Sequence, residues 1–125
     1  MTTHAYDVAS PPSPEDWLAM DEAARIDAVR EAHERTRSPV GSNATAHASI
    51  HVIVENRLAE GHSAVVDAYD RCRAAGLDRH TAVHALASVV TRHMIAMVEQ
   101  QASFDQAAAD RDFAALDPAA FKRKR

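Results

Sequence analysis

The stretch His47-Ala48-Ser49-Ile50-His51-Val52-Ile53-Val54-Glu55 places three metal-competent side chains four residues apart. On an α-helix each step of four turns about 40° and rises about 6 Å, so the three form one slanted stripe on a single face. Ile50, Val54 and Leu58 fall on or beside that face, which predicts that the stripe points into the core. Buried imidazoles and a buried carboxylate are costly unless something satisfies them. His80-Thr81-Ala82-Val83-His84 repeats the four-residue spacing, and its face continues through Ala87, Thr91, Met94 and Val98. This is the spacing by which one helix supplies two ligands to one ion. A single HxxxH arises often by chance. Two of them, one extended by a glutamate, make a far more specific signal.

Nitrogen-rich ligation with a carboxylate and no thiolate suits a divalent transition metal: zinc or iron(II) foremost, then manganese, nickel or copper, as one or two ions. Four histidines around one ion would make a closed, structural site. Three nitrogens with a carboxylate, or two ions sharing Glu55, would leave a position open for water or oxygen. Glu55 is then a ligand, a partner that fixes an imidazole tautomer, or a general base. The competing reading is a metal-free network of core histidines hydrogen-bonded to one another and to Glu55. His4, His62 and His93 stay outside the set, His93 because it sits on the side of its helix opposite His80 and His84.

The elements that must carry these residues are helices. Of the 125 residues 46% are hydrophobic, only 5% are aromatic, and Gly and Pro number three and five. Much of the apolar share is alanine, the best helix former, so the expected class is all-α. Ser13-Pro14-Glu15-Asp16 reads as a helix start, opening a short helix with Trp17 and Leu18. Asp21 caps a helix over 22–37 that ends before Ser38-Pro39. Ser42 or Asn43 caps a helix over 44–60, closed by Gly61; Ser63 starts another over 64–75, closed by Gly76-Leu77. Asp78 caps the last long helix, 79–100, and 103–117 reads as a weaker one.

These signals predict a compact bundle of four main helices, with a short N-terminal helix and a loose C-terminal segment. The expected organisation is a disordered leader over 1–12, a metal-binding bundle over 13–100, and a weak helix with a basic tail over 101–125. In an up-and-down bundle, helices 44–60 and 79–100 run parallel with both histidine pairs near their N-terminal ends. The far end of helix 22–37, carrying His33, and the end of helix 64–75, carrying Tyr69 and Cys72, then reach the same level. His33 is thus a candidate further nitrogen ligand, whereas Cys72 reads as a small buried hydrophobe.

The segment His47–Glu55, followed by Gly76-Leu77-Asp78-Arg79-His80-Thr81-Ala82-Val83-His84-Ala85, resembles a bacterial family of short helical proteins of unknown function. That family joins an HxxxHxxxE helix to a GLxRHxxxH helix, and the likeness covers roughly residues 13–100. It implies a shared histidine site and no particular activity. A weaker resemblance is to hemerythrin-type di-iron bundles, with His33, then His51/Glu55, then His80/His84 in matching order, which implies oxygen or di-iron chemistry by analogy. This chain departs from that pattern in the extra helix 64–75, in the additional His47, and in lacking a final His/Asp pair.

The formal charge of −4 gives nucleic-acid binding no global support; the exception is the Lys122-Arg123-Lys124-Arg125 cluster, read as a solubilising tail. One cysteine excludes an internal disulfide and favours a reducing, cytoplasmic setting. No 18-residue apolar run and no signal-peptide pattern is evident, so no membrane association is expected. Three functional classes follow. The first is a metal-dependent oxidoreductase or hydrolase acting on a small-molecule substrate. The second is a non-catalytic module that stores, senses or is stabilised by metal, including as a homodimer. The third is a metal-free interaction domain.

Overall fold

A computed structural model describes residues 12–36 and 44–122, with the side chains of 33–36, 44 and 45 outside that description. The leader 1–11, the Ser38-Pro39 break, the Ser42/Asn43 cap and residues 123–125 of the basic tail therefore lie outside the described residues. Within them, every element is helical and no strand occurs. In chain order they are α1 (Pro14–Ala19), α2 (Glu22–Thr36), α3 (Ala44–Ala59), α4 (Ser63–Ala74), α5 (Arg79–Gln100), α6 (Gln106–Ala115) and a 3-10 turn, Pro118–Phe121.

Helix ends follow local chemistry. Asp21 and Asp78 each accept a backbone hydrogen bond at 2.8 Å, from Ala24 and Thr81, as N-cap carboxylates do. Gly76 takes a positive φ of 98°; Gly76 N–H donates to the Arg73 carbonyl and Leu77 N–H to the Cys72 carbonyl, the paired bonds of a Schellman turn. Helix α3 closes the same way around Gly61. Two starts differ from expectation in detail: Ser13 makes no side-chain cap bond, and the residue flanking α4 is His62 rather than Ser63.

Helix α3 is central, with α1 and α2 packed on one side of it and α5 on the other. Trp17, Val29 and Ala32 bury against Ala48 and Val52 of α3. On the opposite side Val54 joins Val65, Val83, Leu86, Val90 and Phe113 in the main core. A helix apolar on both sides is one flanked by neighbours on both sides. Trp17 Nε1 donates to Asn56 Oδ1 at 2.8 Å, and the same oxygen accepts from Arg25 Nη1 at 2.9 Å, pinning α1 and α2 to α3.

Two expectations change here. The segment read as weakly helical and loose closes the core: α6 packs on α4 and α5, with Ala109 and Phe113 buried. Phe121 lies against a small cluster of Cys72, Leu77, Ala82 and Ala85. Arg71 holds this end in place by donating to the carbonyls of Phe113, Ala114 and Leu116. Burial of one aromatic ring outweighs the segment's modest amphipathic pattern.

Helix α5 also has a mean hydropathy of 1.3 over an 18-residue window, long and apolar enough by that measure to cross a membrane. It nevertheless bears Arg79, His80, His84, Arg92 and His93, and α3, α4 and α6 all pack against it. Its core face is Val83, Leu86, Val89 and Val90. Of the stripe through Ala87, Thr91, Met94 and Val98, Ala87 and Met94 pack against this core, whereas Thr91 and Val98 face outward, Val98 70% exposed.

Candidate metal centre

The histidine pairs meet across the α3–α5 interface. Ring centroids of His47 and His84 lie 5.1 Å apart, those of His51 and His84 5.5 Å, and those of His51 and His80 6.3 Å. Ascending α3 from His47 to His51 to Glu55 therefore means descending α5 from His84 to His80 to Arg79. The two helices run antiparallel, not parallel as an up-and-down bundle predicts. Both pairs still coincide, because each occupies a position where the helices cross side by side.

One ring nitrogen from each of His47, His51 and His84 lies within 4.8 Å of the others. A tetrahedral ion with metal–nitrogen bonds of about 2.0–2.1 Å holds its ligand nitrogens about 3.3 Å apart, so the widest pair has to close by at most ~1.5 Å. Small side-chain rotations span that distance. His51 is buried, whereas His47 and His84 are half-buried and reach a surface pocket. His80 is adjacent: its Nε2 lies 3.1 Å from His84 Nε2, a separation that suits either a hydrogen bond or two ligands of one ion.

Glu55 occupies a different place from a free ligand. Both carboxylate oxygens accept hydrogen bonds from Arg79, Nη1 to Oε2 and Nη2 to Oε1, each at 2.7 Å. Both side chains are buried, and the Arg79 guanidinium also lies 5.9 Å from the Tyr69 ring centroid. His51 Nε2 stands 3.9 Å from Glu55 Oε2. The carboxylate thus borders the histidine cluster while being held by a bidentate ion pair. Arg79 is a site residue that the spacing of metal-ligating side chains does not reveal. Its signal was present, one residue before His80 in the Gly76–Ala85 motif, but arginine is not a ligand type.

The remaining candidates divide. His33 lies on α2, with its side chain outside the described residues. Cys72 is buried in the separate cluster near Phe121, and burial pushes its thiol pKa up despite neighbouring Arg71. His93 faces away from the site and pairs with Asp112 at 2.6 Å; His62 pairs with Asp110 at 2.9 Å.

A pocket of about 360 Å³ opens beside the cluster. It is lined by His47, His51 and His84 together with Ala46, Ile50, Ala87, Ser88 and Thr91. The hydroxyl protons of the last two are already engaged: Ser88 Oγ donates to the Ala85 carbonyl at 2.6 Å and Thr91 Oγ1 to that of Ala87 at 2.9 Å. Neither a protein-family model, nor a curated protein, nor a solved structure matches this chain. Any functional reading therefore rests on the site itself.

Proposed function

We propose that the protein is a small cytoplasmic metal-binding helical protein in which His47, His51 and His84 hold one divalent transition metal, zinc or iron(II). The observation that carries this reading is the approach of one ring nitrogen from each of the three to within 4.8 Å of the others, at the mouth of a pocket. Three protein nitrogens with access to a pocket is the ligand count of a catalytic rather than a structural site, so a metal-dependent hydrolase or oxidoreductase is the favoured class. When bound, such an ion lowers the pKa of a coordinated water or polarises a substrate oxygen. In this reading Glu55 borders His51 and shapes its surroundings, and Arg79 holds the carboxylate in place. The single cysteine supports the cytoplasmic assignment.

The 3.1 Å approach of His80 to His84 favours a second reading, a closed four-histidine site in a protein that is stabilised by metal and not catalytic. Metal analysis of the full, untagged chain tests both. About one ion per chain, after reconstitution with zinc or iron(II), supports the proposal. No binding under either condition refutes it and leaves the metal-free network. Loss of metal in His80→Ala as complete as in His84→Ala favours the closed site; retention favours the open one.

A further inference from the structure

The pocket itself carries information about what would approach the histidines. Its volume of about 360 Å³ lies at the low end of the ~300–1,000 Å³ typical of small-molecule sites. Among the described residues no Asp, Glu, Lys or Arg lines it. Its non-histidine lining is the side chains of Ala46, Ile50 and Ala87 and two hydroxyls whose protons are directed into their own helix. A ligand carboxylate, phosphate or ammonium placed along that lining would lose water and gain no ionic partner among the described residues, which is unfavourable. Polar recognition is thus concentrated at one end, where the histidines converge. From there the lining follows α5 from His84 through Ser88 to Thr91, away from the Glu55–Arg79 pair.

We propose that this pocket takes a small, uncharged, largely apolar molecule carrying a single metal-binding head, the head at the histidines and the body against Ile50 and Ala87. The proposal rests on the metal reading above and names the class of ligand that the site would take. Its consequence is selectivity: apolar bulk attached to a donor group increases affinity, whereas an added charge does not.

The test uses the full, untagged chain loaded with cobalt(II), whose visible absorption reports a change in its ligands. Imidazole, 4-phenylimidazole and imidazole-4-acetate are titrated in turn. The expected result is that 4-phenylimidazole binds tighter than imidazole by about tenfold or more, because its ring leaves water for the apolar lining. The charged acetate derivative gains nothing. Ala87→Phe fills the pocket and abolishes the phenyl advantage without changing cobalt stoichiometry; if circular dichroism shows that it fails to fold, Thr91→Trp at an exposed position replaces it. Equal affinities for the two neutral azoles, preference for the acid, or an advantage that survives the filled pocket would overturn the ligand class alone. Failure of the chain to bind cobalt(II), zinc or iron(II) would instead overturn the metal reading and this inference with it.

Discussion

Glu55 on α3 and Arg79 at the start of α5 form a bidentate ion pair, both bonds 2.7 Å, with 1% and 3% of their side chains exposed. An ion pair this deep gains Coulomb energy and two charge-assisted hydrogen bonds against a large desolvation cost. Its net contribution is therefore smaller than the damage done by breaking it. It also fixes the register of α3 against α5, since Glu55 meets Arg79 only when His51 lies beside His80 and His84.

Arg79→Met and Glu55→Met should each destabilise the fold by about 3–5 kcal/mol in urea melts, because each leaves a buried charge without its partner. The double variant Glu55→Met/Arg79→Met should lose much less than the sum of the two single Met substitutions. Additive losses across that cycle would show that the pair is not coupled.

Substitutions at the histidines should separate by position. His84→Ala and His47→Ala, both at half-buried positions lining the pocket, should reduce bound zinc to trace levels while keeping the helical circular-dichroism signal. His51→Ala should lose metal and also destabilise the fold by ~1–3 kcal/mol, since it empties a buried polar site. His93→Ala should bind zinc normally. Metal retained in both His84→Ala and His47→Ala would refute the ligand assignment.

Metal binding should stabilise the fold and should fail in acid. Zinc at 100 times its dissociation constant should add about 2.7 kcal/mol to unfolding, read as a rise in melting temperature. Imidazole nitrogens bind metal only when deprotonated, so the zinc-induced shift should shrink as pH falls below about 6.5, the ordinary histidine value. A shift independent of pH between 5 and 8 would argue that histidines are not the ligands.

Asp110 supplies a second, metal-independent pH effect. Partial burial raises its pKa, but hydrogen bonds with His62 and Gln106 outweigh this and hold it below the usual carboxylate value. A carboxylate depressed in the folded state contributes stability that is present above the unfolded value of about 3.9 and is lost as pH falls through the folded value. Asp110→Asn should therefore be less stable than the parent at neutral pH, by under about 1 kcal/mol for so exposed a pair. The two melting curves should converge toward pH 3.

Helix α5 ends on Gln101 in the left-handed region, φ 50°, where Ala102 N–H donates to the Met97 carbonyl. A side chain in that conformation costs about 1–2 kcal/mol that glycine avoids. Gln101→Gly should raise stability by roughly 0.5–1 kcal/mol after the greater freedom of glycine in the unfolded chain is deducted. A decrease would indicate that the Gln101 side chain makes a contact worth more than the strain.

Local chemistry in the sequence determined the helices themselves: the Asp21 and Asp78 caps, the Gly61 and Gly76 stops, and the four-residue spacing that gathers His47, His51 and Glu55 on one face. Each of these depends on interactions within a turn or two of chain, so a reading of neighbours along the sequence reaches them. Tertiary structure alone decided that α3 and α5 run antiparallel, that Glu55 is held by Arg79, that Phe113 and Phe121 draw the C-terminal segment into the core, and that Cys72 lies in a separate cluster. Helix α5 shows why: its 22 residues carry one apolar stripe through Val83, Leu86 and Val90 and another through Ala87, Thr91 and Val98. Periodicity gives both stripes equal standing. Which positions of each are buried depends on contacts with residues some 20 to 30 positions away, such as Val65, Ala109 and Phe113. The histidines converge in either arrangement, but only the packed fold sets which nitrogens approach one another and which side of them opens to the pocket.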